Sequence, residues 1–130
     1  MYFISKYKII SNKLGDIYKI FFHKKKNIDI YVSKLKKNTI KGWIFHKRYT
    51  CRLFLISGSV DIKIYIKEKK IKNIKLRLNG YNSISIPPKN FFLIKNFSKK
   101  EAVVLNCLNG KHKKNEYIKK EFSFYKYNLC

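Results

Sequence analysis

In VDIKIYIK, residues 60–67, apolar and polar side chains alternate without a break: Val60, Ile62, Ile64 and Ile66 fall on one side of an extended chain, Asp61, Lys63, Tyr65 and Lys67 on the other. A period of two marks a half-buried β-strand and excludes an amphipathic helix, whose apolar residues recur roughly every three to four positions. IKNIKLRL repeats the pattern, with Ile74, Leu76 and Leu78 opposing Lys75 and Arg77. NIDIYVSKL, SISIPP, FFLIKN and EAVVLNCL are further β-branched or aromatic runs of strand length. Turn signals separate them at Asn12 to Asp16, Ser57-Gly58-Ser59, Lys67 to Lys70, Asn79-Gly80, Pro87-Pro88 and Asn109-Gly110. At least about eight short strands in one uninterrupted series predict an antiparallel all-β sandwich or barrel. At 130 residues the chain is long enough for one core, so residues 1–130 read as a single domain. Only KKNEYIKKEFSFYKYN offers a short helix, with Tyr117, Ile118 and Glu121 or Phe122 at helical spacing.

The chain carries 31 Lys and Arg against 7 Asp and Glu, a formal charge of +24. Such an imbalance raises nucleic acid or an anionic surface as partner. Only Arg48, Arg52 and Arg77 are arginines, however, and the lysines are spread along the whole chain. Arginine, with its planar fork, is the residue of bidentate phosphate and base recognition. Lys, Ile, Asn, Phe and Tyr also share A/T-rich codons, which accounts for their joint excess without a selected partner. Weak, salt-sensitive, non-specific adhesion to polyanions follows from the charge in either case.

Cys51, Cys107 and Cys130 are odd in number, widely spaced and form no CxxC pair, which predicts reduced thiols in a cytoplasmic protein. No apolar run approaches the roughly 18 residues of a membrane span, and the N-terminus lacks a leader pattern, so no membrane insertion is expected. His23, His46 and His112 lie far apart without acidic residues in ligand spacing, and no metal site is expected. Glycine-rich phosphate loops, serine-hydrolase motifs and paired glycosidase carboxylates are absent.

The order of pieces carries a resemblance. IKGWIFHKRYTCRLFLISGSV is similar to a strand, loop and hairpin opening on Arg/Lys-Gly-x-His-x-His, and ISIPPKNFFLIKNFSKKEAVVLN to a Pro-Pro-Gly turn leading into an aromatic pair and a strand. NEYIKKEFSFY resembles an acidic-Tyr-Ile-Arg ending. Together these resemble the nucleotide-sugar cupins related to dTDP-4-dehydrorhamnose 3,5-epimerase and the dTDP-sugar 3,4-ketoisomerases, over most of the chain from Gly15 onward. The resemblance implies a jelly-roll cupin barrel, usually a homodimer, with a nucleotide-activated sugar bound inside it for surface polysaccharide synthesis. The implied chemistry is proton abstraction next to a sugar ketone and reprotonation, without metal or other cofactor.

The departures are specific. Ile44 stands where the first histidine belongs, His46 matches the second, Phe91-Phe92 replaces a later histidine, and Asn106 occupies the place of the epimerases' catalytic tyrosine. On a strand from Lys41 to Lys47, Gly42, Ile44 and His46 share one face, and Trp43 and Phe45 the other. His46 and Tyr49 are thus the candidate proton-transfer groups, with Lys47, Arg48, Arg52 and Asn106 as candidate substrate-binding residues. His46 is expected inside the barrel near Arg48 or Arg52. Two alternatives stay open: a carbohydrate-binding cupin without turnover, and a basic β-barrel that binds RNA or single-stranded DNA through lysines and exposed aromatics.

Overall fold

A computed structural model describes residues 8–23, 28–67, 70–110 and 117–120. Eleven strands run through them: β1 (Lys8–Asn12), β2 (Gly15–His23), β3 (Ile28–Leu35), β4 (Thr39–His46), β5 (Cys51–Ser57), β6 (Ser59–Lys67), β7 (Lys70–Arg77), β8 (Ser83–Ile86), β9 (Phe92–Asn96), β10 (Ala102–Leu108) and β11 (Tyr117–Lys120). They form a six-stranded sheet, β1-β2-β3-β10-β5-β8, and a five-stranded one, β11-β4-β9-β6-β7, with every pairing antiparallel. The expected all-β jelly-roll is thus observed, and none of the described residues is helical.

The two sheets close on one apolar interior. Leu53 and Leu55 of β5, Val60 and Ile62 of β6, Leu76 of β7, Phe92 and Ile94 of β9 and Val104 of β10 are buried together; on β5 and β10 they alternate with less buried residues, whereas all of β9 is buried. The alternation read in VDIKIYIK therefore holds through Ile64, which packs on this core. It fails at Ile66, because the pairing shifts between Tyr65 and Lys67 and leaves Ile66 exposed. Leu78, expected on the inner face, lies past the end of β7 and is also exposed. No helix among the described residues is long and apolar enough to cross a membrane.

Two local expectations are corrected. Ser57-Gly58-Ser59 does not close a hairpin, since β5 pairs with β10 and β8 while β6 pairs with β9 and β7. The segment carries the chain from one sheet to the other. Gly58 allows the crossing with φ of 81°, and a Cβ there would lie 2.9 Å from the Glu101 carbonyl oxygen. The C-terminal segment is no helix at Tyr117 and Ile118: Tyr117–Lys120 adds a strand to the edge of β4, with Tyr117 opposite His46. A free edge offering backbone hydrogen bonds outweighs weak helical spacing over four residues. Glu121 and Phe122 lie outside the described residues.

Asp61 faces outward as its alternation requires, and accepts from Arg77 Nη2 at 3.0 Å, while Arg77 Nη1 donates to the carbonyls of Val60 and Leu76 at 2.9 and 2.8 Å. The two side chains are 38% and 23% exposed, so solvent screens the pair. Asp61→Asn is expected to change unfolding free energy by less than about 1 kcal/mol in urea denaturation. A loss of several times that amount would mean that the pair organises more than its own hairpin.

Candidate functional site

The site is built on β4 and the turn that follows it. Opposite β9, Ile44 pairs with Phe92, a residue of the core, so Ile44 faces the interior and His46, two residues on, faces it as well. The His46 side chain is buried, and its ring lies against Phe92 with centroids 6.3 Å apart and planes 28° off parallel. The backbone carbonyl of His46 accepts from the Lys89 amide at 2.7 Å. Lys89 follows Pro87-Pro88 and takes φ of 67°, the left-handed conformation a glycine would adopt without cost. Asn90 Nδ2 closes the same turn on the carbonyls of Pro87 and Pro88. The Pro-Pro signature thus acts as a backbone clamp on the strand end that carries His46.

Tyr49 is half-buried, packs on the core and lies directly over Gly110, where a Cβ would collide with its ring. The turn is tied to the end of β10 by the Thr50 amide, which donates to Asn109 Oδ1 at 2.9 Å. Lys47 and Arg48 are exposed in this turn, immediately after His46. Arg52 does not join them. It alternates with the buried Cys51 and Leu53 and so projects from the outer face of the six-stranded sheet, beside Cys107. Of the two arginines expected near His46, Arg52 is thus turned to the outer face: strand alternation overrides nearness in sequence.

Asn106 is buried on the inner face of β10, where Nδ2 donates to Ser33 Oγ at 3.0 Å and to the carbonyls of Val104 at 3.1 Å and Tyr31 at 3.4 Å. Its amide hydrogens are committed to protein acceptors, so it orders the wall of the barrel more readily than it donates to a ligand. Sequence reasoning missed that wall. On β3 it is Asp29, Tyr31, Ser33 and Leu35 that are buried, while the apolar Ile30 and Val32 face outward. The missed signal is the same alternation, read for its polar members: IDIYVSKL places three hydrogen-bonding side chains on one face. Asp29 lies at the His46 end of the barrel, because it pairs across β10 with Leu108 and, beyond it, Cys51.

The opposite end offers little room. A cavity of about 50 Å³ there, with Ile17, Ser33, Leu35 and Lys41 in its lining, holds a water or two and not a sugar, which needs several hundred Å³. Among the described residues no group of three or more His, Cys, Asp or Glu is placed to hold a metal ion. Of the other residues weighed in the sequence, Cys51 is buried in the core, whereas Cys107 is only partly covered. Burial pushes the Cys107 thiol above its ordinary value, and the neighbouring Arg52 draws it partly back. Trp43 is fully buried, on the face of β4 opposite His46.

Two antiparallel sheets around a barrel with polar side chains directed inward define a cupin. The chain belongs to the family described as "FdtA: WxcM-like, C-terminal", whose profile matches residues 7–128. Among solved structures it is similar to the capsular polysaccharide assembling protein CapF of Staphylococcus aureus, with 16% identity and a TM-score of 0.79 over 92% of this chain and 33% of CapF. CapF with the inhibitor 3-isopropenyl-tropolone gives a TM-score of 0.80 at the same identity, over 92% of this chain and 36% of that one. Oxalate decarboxylase of Bacillus subtilis follows, with 13% identity and a TM-score of 0.72 over 86% of this chain and 29% of that one. The chain thus spans about a third of the length of these structures. No curated protein matches it.

Proposed function

We propose that this cupin binds a nucleotide-activated 4-keto-deoxysugar, in the cytoplasmic synthesis of a surface polysaccharide, and exchanges a proton at the carbon next to the ketone. The observation that carries the reading is His46: a buried imidazole on the inward face, at the barrel end where Tyr49, Lys47 and Arg48 gather. The FdtA family and the capsular polysaccharide role printed for CapF support the pathway. In the proposed step the imidazole takes the proton from the α-carbon, the C–H electron pair becomes a carbon–carbon double bond, the ketone π pair moves onto its oxygen as an enolate, and the imidazolium returns a proton to the same carbon as the ketone re-forms. The Tyr49 hydroxyl donates a hydrogen bond to the enolate oxygen, while Lys47 and Arg48 hold the diphosphate at the rim.

Because Ile44 and Phe92 pair where further histidines would sit, one base works without a basic partner on the opposite side. This apolar pair is also what favours the second reading, a binding cupin without turnover. The two are separated by incubating 4-keto dTDP-sugars with the protein in D₂O and following label at C3 and C5 by mass spectrometry. Slow incorporation above the protein-free rate supports catalysis. Saturable binding without incorporation leaves the non-catalytic cupin, and no binding of any nucleotide sugar overturns both.

A further inference from the structure

On the outer face of the five-stranded sheet, at the end of the barrel away from His46, the start of β6 and the ends of β7 and β9 bound a cleft of about 250 Å³ lined by Ser59, Asp61, Arg77, Lys95, Phe97 and Ser98. Strand alternation makes it polar. Asp61 stands directly opposite Lys95 and Ser59 opposite Arg77, each turned away from the core that Val60, Leu76 and Ile94 fill. The groups are held by the fold itself. Arg77 spends both Nη1 hydrogens on the carbonyls of Val60 and Leu76 and one Nη2 hydrogen on Asp61, which leaves its other Nη2 hydrogen and Nε unclaimed among the described residues. Lys95 is almost wholly buried, with Nζ 3.6 Å from the centre of the Phe97 ring, while Phe97 is itself 57% exposed. The Ser98 hydroxyl is taken by Asn96 and Lys100, so Ser59 supplies the hydroxyl of the cleft.

We propose that this cleft is a second ligand site, and that it takes a single sugar ring bearing an anionic group, a carboxylate or a phosphate. Two cations against one carboxylate leave the lining positive, and the exposed Lys75, opposite Asp61 on β7, adds to it. A guanidinium fork beside an ammonium suits an oxyanion. Charge alone does not define the ligand, because a chain of +24 attracts any anion. Asp61 and Phe97 do. A carboxylate in the cleft repels a free polyanion but accepts from the hydroxyls of a sugar, and an exposed aromatic ring offers the face that Lys95 does not cover to the apolar C–H side of a pyranose. Size sets the upper limit: about 250 Å³ falls short of the roughly 300–1,000 Å³ of sites for drug-sized ligands, so one ring fits and a whole nucleotide sugar does not. The site is therefore distinct from the one proposed at His46, whose ligand is larger and lies inside the barrel.

Titration calorimetry of the full chain with glucuronate, glucose 6-phosphate, glucose and inorganic phosphate, at one ionic strength, tests this. At least one of the two sugar anions is expected to bind saturably and about tenfold or more tightly than glucose or inorganic phosphate, since each of these lacks half of the contacts. The tighter of the two sugar anions identifies the anionic group. Lys95→Met keeps the length of the side chain and its packing on Phe97, and should weaken binding by about tenfold or more. Phe97→Ala should weaken it roughly fivefold. His46→Ala, at the other end of the barrel, should retain the wild-type affinity, which separates this cleft from the interior. Circular dichroism confirms folding, and the exposed Phe97 keeps the test valid if the Lys95 variant does not fold. Failure of both sugar anions to saturate, inorganic phosphate binding as tightly as they do, affinity that survives both Lys95→Met and Phe97→Ala, or affinity lost in His46→Ala would each overturn the inference.

Discussion

On the proposed reaction, replacing His46 by asparagine or alanine is expected to lower solvent-deuterium exchange into a bound 4-keto nucleotide sugar on the order of 10²–10⁴-fold, the usual loss for one acid–base group. Binding, read by thermal shift with the same sugar, should fall far less. The reason for the difference is geometric. Lys47 and Arg48, assigned to the diphosphate, lie in a turn whose anchor is the Thr50–Asn109 bond, and the backbone clamp from Lys89 holds the His46 carbonyl whatever side chain follows it. Asparagine keeps a polar group of smaller size on the Phe92 ring and cannot accept and return a proton near neutral pH. Tyr49→Phe, which retains the packing over Gly110, should reduce exchange by a smaller factor. Exchange that survives both His46 substitutions would remove this residue from the reaction.

Asn96→Ala is expected to lower unfolding free energy by about 3–4 kcal/mol, since five hydrogen bonds are lost and the partly buried ones contribute less than the usual ~1 kcal/mol each. Asn96 is fully buried at the end of β9. Its Nδ2 donates to the carbonyls of Leu35, Lys36 and Lys100 at 3.1, 3.2 and 2.9 Å, and its Oδ1 accepts from the amide and hydroxyl of Ser98 at 3.1 and 2.7 Å. One side chain thus joins the end of β3 in the first sheet to β9 in the second and to the loop before β10. Alanine leaves these carbonyls and donors facing a void. Asn96→Asp keeps the shape but sets a carboxylate against three carbonyl oxygens, so it should cost more than alanine above the carboxylate range. The Asp variant should recover stability in acid, where its carboxyl is protonated and keeps one hydrogen to donate. Chemical denaturation of both variants at two pH values checks the order, and an aspartate variant as stable as wild type at neutral pH would contradict the network.

The strands were legible because most bury one face and expose the other, as VDIKIYIK shows. The inward direction of His46 followed from the same count of two, and the outward direction of Arg52 was equally available. It was obscured by reading three basic residues near one turn as a cluster. Strand pairing was not legible at Ser57-Gly58-Ser59, because turn residues show that the chain bends and not which strand receives it. β3 was recognisable as a strand, but its faces were not: NIDIYVSKL carries apolar residues on the side turned away from the core, and only the neighbours supplied by β10 reveal which side is which. Asn96 gave no local sign at all. An asparagine ending a strand reads as a turn residue, and its partners Leu35 and Lys36 lie about sixty positions away.

The irregularity in β4 has a consequence for how such a barrel can change. Lys41 stands opposite Ile94 and Ile44 opposite Phe92, so three steps along β4 match two along β9. This bulge absorbs one residue and resets the phase of the strand, which lets positions an odd number apart, 41 and 44, look into the same interior. Deleting Gly42 or Trp43 would remove the bulge and leave Lys41 and His46 an even number of residues apart, so a regular strand would still turn both inward. Exchanging the side chain at 44 disturbs nothing in the backbone, and an imidazole there would enter where Ile44 already meets Phe92. On the proposed reading, proton-transfer capacity is separable from the architecture: it would be gained or lost by single-letter changes at inward positions, while the strand pairing that aims those positions stays in place.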